Sequence, residues 1–371
     1  MIRKYQYLLY FLFVFLIAFN IWHISKHGLW SPPSFIDSLD LNTIAAQRFS
    51  KFDSSIRPSI SGHYDGQWFY MVSYDPLMLH PGYSDGFDFP RYRHNRVIYP
   101  LVTHLVAFGQ PKLYPYALFF IAILFYILGA MVVCKICEIC GWTKWVIIGY
   151  LTNTGLVYSA FRDMSEPIGV TFTLLGLLYW ERRKRSYAIE FFIVAALTKE
   201  IFIVAPLSLY LWDWWKGERS FRKTSVATAL TLGALLAWMA YVNYRIPNDN
   251  SFATVPIACP SFGIGRFSPP FVALTQETLF GLYHATTRTI VKLSLSMTFV
   301  TVMIILISFL GFFRLPTSWV TILAIQGLFL SCTRGEIWNY FASSCRQTAL
   351  LFILAFFWIA DELKRIKLNG F

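Results

Sequence analysis

Apolar residues fall in long blocks along this chain, and polar residues gather in the segments between them. Blocks with little charge occupy residues 7–24, 114–133, 145–161, 167–180, 187–197, 201–214, 226–244, 290–313, 318–331 and 348–359. A helix needs about 17–25 mainly apolar residues to cross a bilayer core, so the set predicts an all-α polytopic membrane protein with about 10 transmembrane helices. The whole chain, residues 1–371, reads as a single integral-membrane domain. Residues 98–108 are apolar but too short to cross, which predicts a re-entrant or interfacial segment. Two polar stretches are too long for simple connectors: an outer loop over 25–97 and a Pro- and Gly-bearing one over 245–287. Helical periodicity over 41–52 predicts a short helix inside the first of them.

Composition agrees: 56% of the residues are hydrophobic and 14% charged, with a mean hydropathy of +0.50. Soluble domains carry about 25% charged residues. The formal net charge of +12 does not point to nucleic acid, because nothing here resembles a soluble basic domain. It reads instead through topology. An even number of spans puts both termini on one side. That side then receives Arg3, Lys4, Lys135, Lys144, the run Arg182, Arg183, Lys184 and Arg185, then Lys216, Arg219, Arg222, Lys223, Arg314, Lys364, Arg365 and Lys367. Short connections rich in Lys and Arg stay in the cytoplasm. Both termini are therefore expected there, with the two long loops outside. Residues 7–22 follow Arg3 and Lys4 as in a signal peptide, but no small-residue cleavage site comes next, so the first span is expected to stay.

The candidate chemistry lies on the outer side. The stretch Gly62, His63, Tyr64, Asp65, Gly66, Gln67, Trp68, Phe69, Tyr70 sets an acidic residue among aromatic ones just after the first apolar block. A carboxylate held near the membrane surface suits a general base for a hydroxyl nucleophile; an ordinary Asp-Gly turn with interfacial aromatics is the structural alternative. Four outer turns then each bring a cation close to a carboxylate or to Asp65. They hold Arg91, Arg93 and Arg96; Arg162, Asp163 and Glu166; Thr198, Lys199 and Glu200; and Arg334, Glu336, Trp338, Tyr340 and Arg346. Charges at the edge of a bilayer core are costly and mark functional sites by default. Arginine suits a bidentate grip on phosphate oxygens. Local pairing, Arg162 with Glu166 or Lys199 with Glu200 of a neighbouring turn, is the competing explanation.

The runs from Tyr64 to Tyr70, Asp75-Pro76, Tyr92-Arg93, Arg96 to Pro100, Met164 to Pro167 and Leu197 to Glu200 together resemble bacterial multi-span proteins of the GT-C glycosyltransferase superfamily. The likeness covers roughly the first 210 residues and is similar in plan to the glycolipid mannosyltransferases. It implies a GT-C-like fold in the bacterial plasma membrane with the active site on the outer face. The implied reaction is an inverting transfer of a sugar from a polyprenyl-phosphate donor to a hydroxyl of a lipid, glycan or protein acceptor. Asp65 corresponds to the catalytic carboxylate. Tyr64, Gln67, Arg93, Arg96, Arg162, Glu166, Lys199, Glu200, Arg334, Trp338 and Arg346 are the expected substrate contacts, with Arg93, Arg96 and Arg334 on the departing phosphate. Lys199 stands where an Arg is expected beside Glu200. No Asp-x-Asp pair marks a metal site, and no cofactor is expected. Two other readings stand beside this one: a ligase or polymerase of surface polysaccharide, and a transporter or flippase for an anionic lipid. Cys134, Cys137 and Cys140 fit helix packing, while Cys332 and Cys345 both fall near the outer face, where pairing is open to them. His63, His80, His94 and His104 suit solvated or substrate-contacting roles rather than metal binding.

Overall fold

The structure is a computed structural model that describes residues 65–80, 82–84, 87, 89–217, 221–247, 303–309, 311, 317–331 and 341–368. Among these residues every regular element is a helix. In chain order they are α1 (Asp65–Val72), α2 (Pro90–His94), α3 (Ile98–Val106), α4 (Tyr114–Cys140), α5 (Val146–Leu151), α6 (Thr154–Ala160), α7 (Glu166–Glu181), α8 (Arg185–Thr198), α9 (Val204–Trp215), α10 (Phe221–Arg245), α11 (Ser318–Ser331) and α12 (Phe341–Leu368). A 3₁₀ turn, Glu200–Ile203, joins α8 to α9. The expected span over 7–24, the helix over 41–52, most of the loop over 245–287 and most of the block over 290–313 lie outside the described residues.

Among the described residues, two helices, Pro111–Cys140 with its 3₁₀ start and Arg222–Arg245, are long and apolar enough to cross a membrane. On α4, Tyr116, Phe120, Leu124, Leu128 and Met131 recur at helical spacing and stay exposed, a stripe that water would not favour and lipid would. The opposite face of α4 packs on α7, the centre of the bundle, which also touches α6, α8 and α12. Close approach at the centre depends on Gly169: a Cβ there would stand 2.0 Å from the Phe202 ring. The bare helix surface lets the 3₁₀ turn seat directly on α7.

Two expected elements differ. The block 145–161 is not one span, because α5 and α6 are separated at Thr152 and Asn153. The Asn153 side chain caps α6 by accepting from Leu156 N at 3.0 Å and donates to the Ala349 carbonyl of α12 at 3.0 Å. A helix-ending side chain with a partner elsewhere outweighs the apolar run. The block 348–359 lies inside α12, which extends well beyond it at both ends. The block 318–331 and the short segment after Arg96 match α11 and α3.

The two ends of the bundle differ in character. At one end Lys364 Nζ donates to Cys140 O at 2.7 Å, Trp142 Nε1 meets Asp361 at 3.4 Å, and Arg185 pairs with Asp213 at 3.5 Å. Arg182, Arg183 and Lys184 after α7 and Lys216 after α9 lie there too. At the other end α1, α2 and α3 form a cap over α4 and the start of α7, with Trp68 to Val72, Phe87, Tyr99, Tyr114, Met164 and Ile168 in one apolar core. The cap is tied to the end of α10: Arg91 donates to Ile246 O and Pro247 O at 2.9 and 2.7 Å, Tyr241 OH to Leu77 O at 2.8 Å, Arg245 Nε to Met78 O at 2.8 Å, and Trp238 Nε1 to His94 O at 3.0 Å.

Candidate functional site

At the cap end, α7 begins lower than its neighbour. Thr171 is level with Phe125, whose carbonyl accepts its hydroxyl at 2.7 Å. At 1.5 Å per residue, Glu166 stands ~8 Å above that level and Tyr114 ~17 Å above it, so the start of α7 is sunk by ~9 Å. α8 and α9 are also short, and they end or begin at the same depth. Charged side chains collect in this step, beneath the cap.

Glu166, the first residue of α7, lies where a carboxylate complements the helix dipole. Its Oε1 accepts Lys199 Nζ at 2.8 Å and Arg346 Nε and Nη2 at 3.0 Å. Lys199 follows the end of α8 with an extended backbone, φ −162°, which turns its side chain from its own helix toward α7. Glu200 accepts Arg96 Nη2 at 3.0 Å and Nε at 3.3 Å. Arg96 also donates to Tyr92 OH and lies 4.2 Å over the Tyr92 ring. Lys199 is 2% exposed and Glu166 1%, and Arg96, Glu200 and Arg346 are buried as well. Segments from four parts of the chain thus share one dehydrated array of three cations and two carboxylates. Lys199 pairs with Glu166 of another turn, while the adjacent Glu200 pairs with Arg96.

Asp163 is the residue that sequence reasoning passed over when choosing contacts. It occupies the turn before α7 in a left-handed conformation, φ 52°, at 0% exposure. Neither carboxyl oxygen has a hydrogen-bond partner among the described residues. Burial pushes its carboxyl well above the ordinary range, against the pull of Arg162. A non-glycine residue in this conformation is strained. Nothing in the run Arg162-Asp163-Met164 signals it.

The other expected contacts are placed as follows. Asp65 is the first residue of α1; its side chain is outside the described set. Gln67 is buried in α1. Trp68, one turn beyond Asp65, carries the Arg93 guanidinium 5.0 Å over its ring, and Arg93 lies 5.3 Å from the Tyr92 ring. Arg162 sits half-buried near the Tyr158 ring at 5.9 Å. Tyr64, Arg334, Trp338 and Cys332, and the side chain of Cys345, lie outside the described residues. His94 is not solvated: it is buried, bonded to Ser84 Oγ at 2.8 Å and stacked on Phe87. His104 bonds to Ser73 O at 2.9 Å. Asp75 accepts Leu79 N and His80 N at 2.8 Å each and holds its turn. Among the described residues no group of His, Cys, Asp and Glu is arranged to hold a metal. Cys137 packs into the main core.

Fold and array together define an all-helical protein with a buried polar centre at one end of its bundle. Compared with known proteins, the chain matches no family model, no curated protein and no solved structure.

Proposed function

We propose that the chain is an inverting glycosyltransferase of the bacterial plasma membrane. It transfers a sugar from a polyprenyl-phosphate donor to an acceptor hydroxyl on the outer face, with both termini cytoplasmic. One observation carries the reading. Arg96, Lys199 and Arg346, with Glu166 and Glu200, converge beneath the cap whose first helix starts at Asp65. Buried charges that survive near a membrane core need a purpose. Cations dehydrated during folding are already placed to meet an anion, so little reorganisation remains when phosphate departs.

In this reading Asp65 takes the proton of the acceptor hydroxyl as its oxygen attacks the anomeric carbon. The bond from that carbon to the phosphate oxygen breaks, and the polyprenyl phosphate leaves with the bonding pair. Arg93 and Arg96 receive the developing charge. Glu166 and Glu200 position Lys199, Arg346 and Arg96. The purified protein should transfer sugar from polyprenyl-phosphate sugars and not from nucleotide sugars. Transfer from nucleotide sugars alone would overturn the donor assignment.

A second reading draws on the breaks between α5 and α6 and around Lys199. Discontinuous helices with charges at their ends are a transporter device. Against it, Glu166 lies a full α7 length, ~24 Å, from the basic end, which is beyond the middle of a ~30 Å core. Uptake of an anionic lipid into proteoliposomes without any glycosyl transfer would decide for the transporter.

A further inference from the structure

Away from the ion array, toward the basic end of the bundle, α9 and α11 border a groove of about 260 Å³ lined by Leu211, Trp212, Trp215, Phe309, Ala324 and Ile325. Thr321, also on the wall, turns its hydroxyl back to Thr317 O at 2.8 Å, so it offers nothing polar to an occupant. Apolar cavities of even ~150 Å³ stay dry and take up apolar guests. The rim is open: Leu211 and Trp214 are about half exposed, and Trp215 is 55% exposed. Half-exposed tryptophans at one level are what an interfacial belt provides.

A cation stands beside the groove's tryptophans. Lys216 Nζ stands 5.0 Å from the Trp212 ring and 4.8 Å from the Trp215 ring, so two side chains of the α9 wall also hold the ammonium. Exposed Arg222 and Lys223 begin the next helix. An apolar slot ending at a positioned cation matches a molecule with a hydrocarbon chain and an anionic head. We propose that this groove binds an anionic phospholipid, with part of an acyl chain between α9 and α11 and the headgroup phosphate against Lys216. A zwitterionic headgroup would bring its own cation toward Lys216 and fit less well. The inference rests on the membrane setting of the bundle and is independent of the glycosyltransferase reading.

The test is thermal unfolding of the purified full-length chain in neutral detergent, titrated with phosphatidylglycerol, phosphatidylcholine or inorganic phosphate. A ligand that binds only the folded state raises the midpoint. Phosphatidylglycerol should raise it by several degrees, phosphatidylcholine by less than half as much, and inorganic phosphate not at all. Lys216→Gln, at an exposed position, should reduce the phosphatidylglycerol shift to that of phosphatidylcholine. Ala324→Trp should fill the groove and remove the response to both lipids; Ala324→Leu does the same with less bulk should the larger side chain impair folding. Equal shifts with the two lipids, a phosphatidylglycerol advantage that survives Lys216→Gln, a full response in the filled variants, or a shift reproduced by inorganic phosphate would each overturn the proposal.

Discussion

Lys199 shows what was legible in single residues and what was not. The turn that holds it stood out in the sequence because a lysine and a glutamate meet there with no polar loop around them. Its partner did not, because Lys199 reaches Glu166 across 33 positions, and the arginines reach their glutamates across 104 and 180. Removing one member of a buried pair leaves the other charged and dry, at a cost of about 3–5 kcal/mol. Glu166→Gln and Lys199→Met should each lower the unfolding midpoint strongly, and the double variant should lose less than the sum. Additive losses in a double-mutant cycle would mean that the two do not interact. His94 supplies a pH test of the cap. Burial pushes its imidazole down from 6.5 to about 4, against the opposing pull of Asp75. The unfolded chain therefore binds the extra proton first, so the contribution of His94 is intact above pH 6.5 and is lost as pH falls toward 4. The difference amounts to about 3 kcal/mol. His94→Gln should flatten stability over that interval; an unchanged pH profile would contradict the assignment.

At the scale of elements, run length found α11 and the short α3. It missed the break between α5 and α6 because the side chain that makes it, Asn153, is satisfied by Ala349, 196 residues away. It gave α7, α8 and α9 as short runs meeting at charged turns, but not how deep those turns lie. That depth depends on how closely the Glu200–Ile203 turn seats on Gly169. Gly169→Ala should press on the Phe202 ring and cost about 1–3 kcal/mol, the range for overpacking. The displaced turn carries Lys199 and Glu200 with it, so transfer activity should fall further than stability alone explains. Phe202→Ala in the same chain should restore part of both. A Gly169→Ala protein with wild-type melting and turnover would show that the turn has room to spare.

At the scale of the molecule, described basic residues assigned to one side by their positions between apolar blocks, Arg185 and Lys364 among them, lie at one end of the bundle, and Arg96, Glu166, Lys199 and Glu200 lie at the other. Lys364 against Cys140 marks the first end, Arg245 against Met78 the second. Reporter fusions after Arg185 and after Lys223 should report cytoplasm, and fusions near Pro81 and Pro260 the outside; swapped signals would remove the outer-face site altogether. Least legible was the chemistry, because the array joins residues 33 to 180 positions apart. The decisive measurement is therefore sugar transfer by purified Asp65→Asn protein from a polyprenyl-phosphate sugar, alongside wild type and with folded yield matched. General-base catalysis is typically worth about 10²–10⁴-fold in rate. Transfer should drop by about that factor while donor binding is retained; turnover equal to wild type would contradict the mechanism.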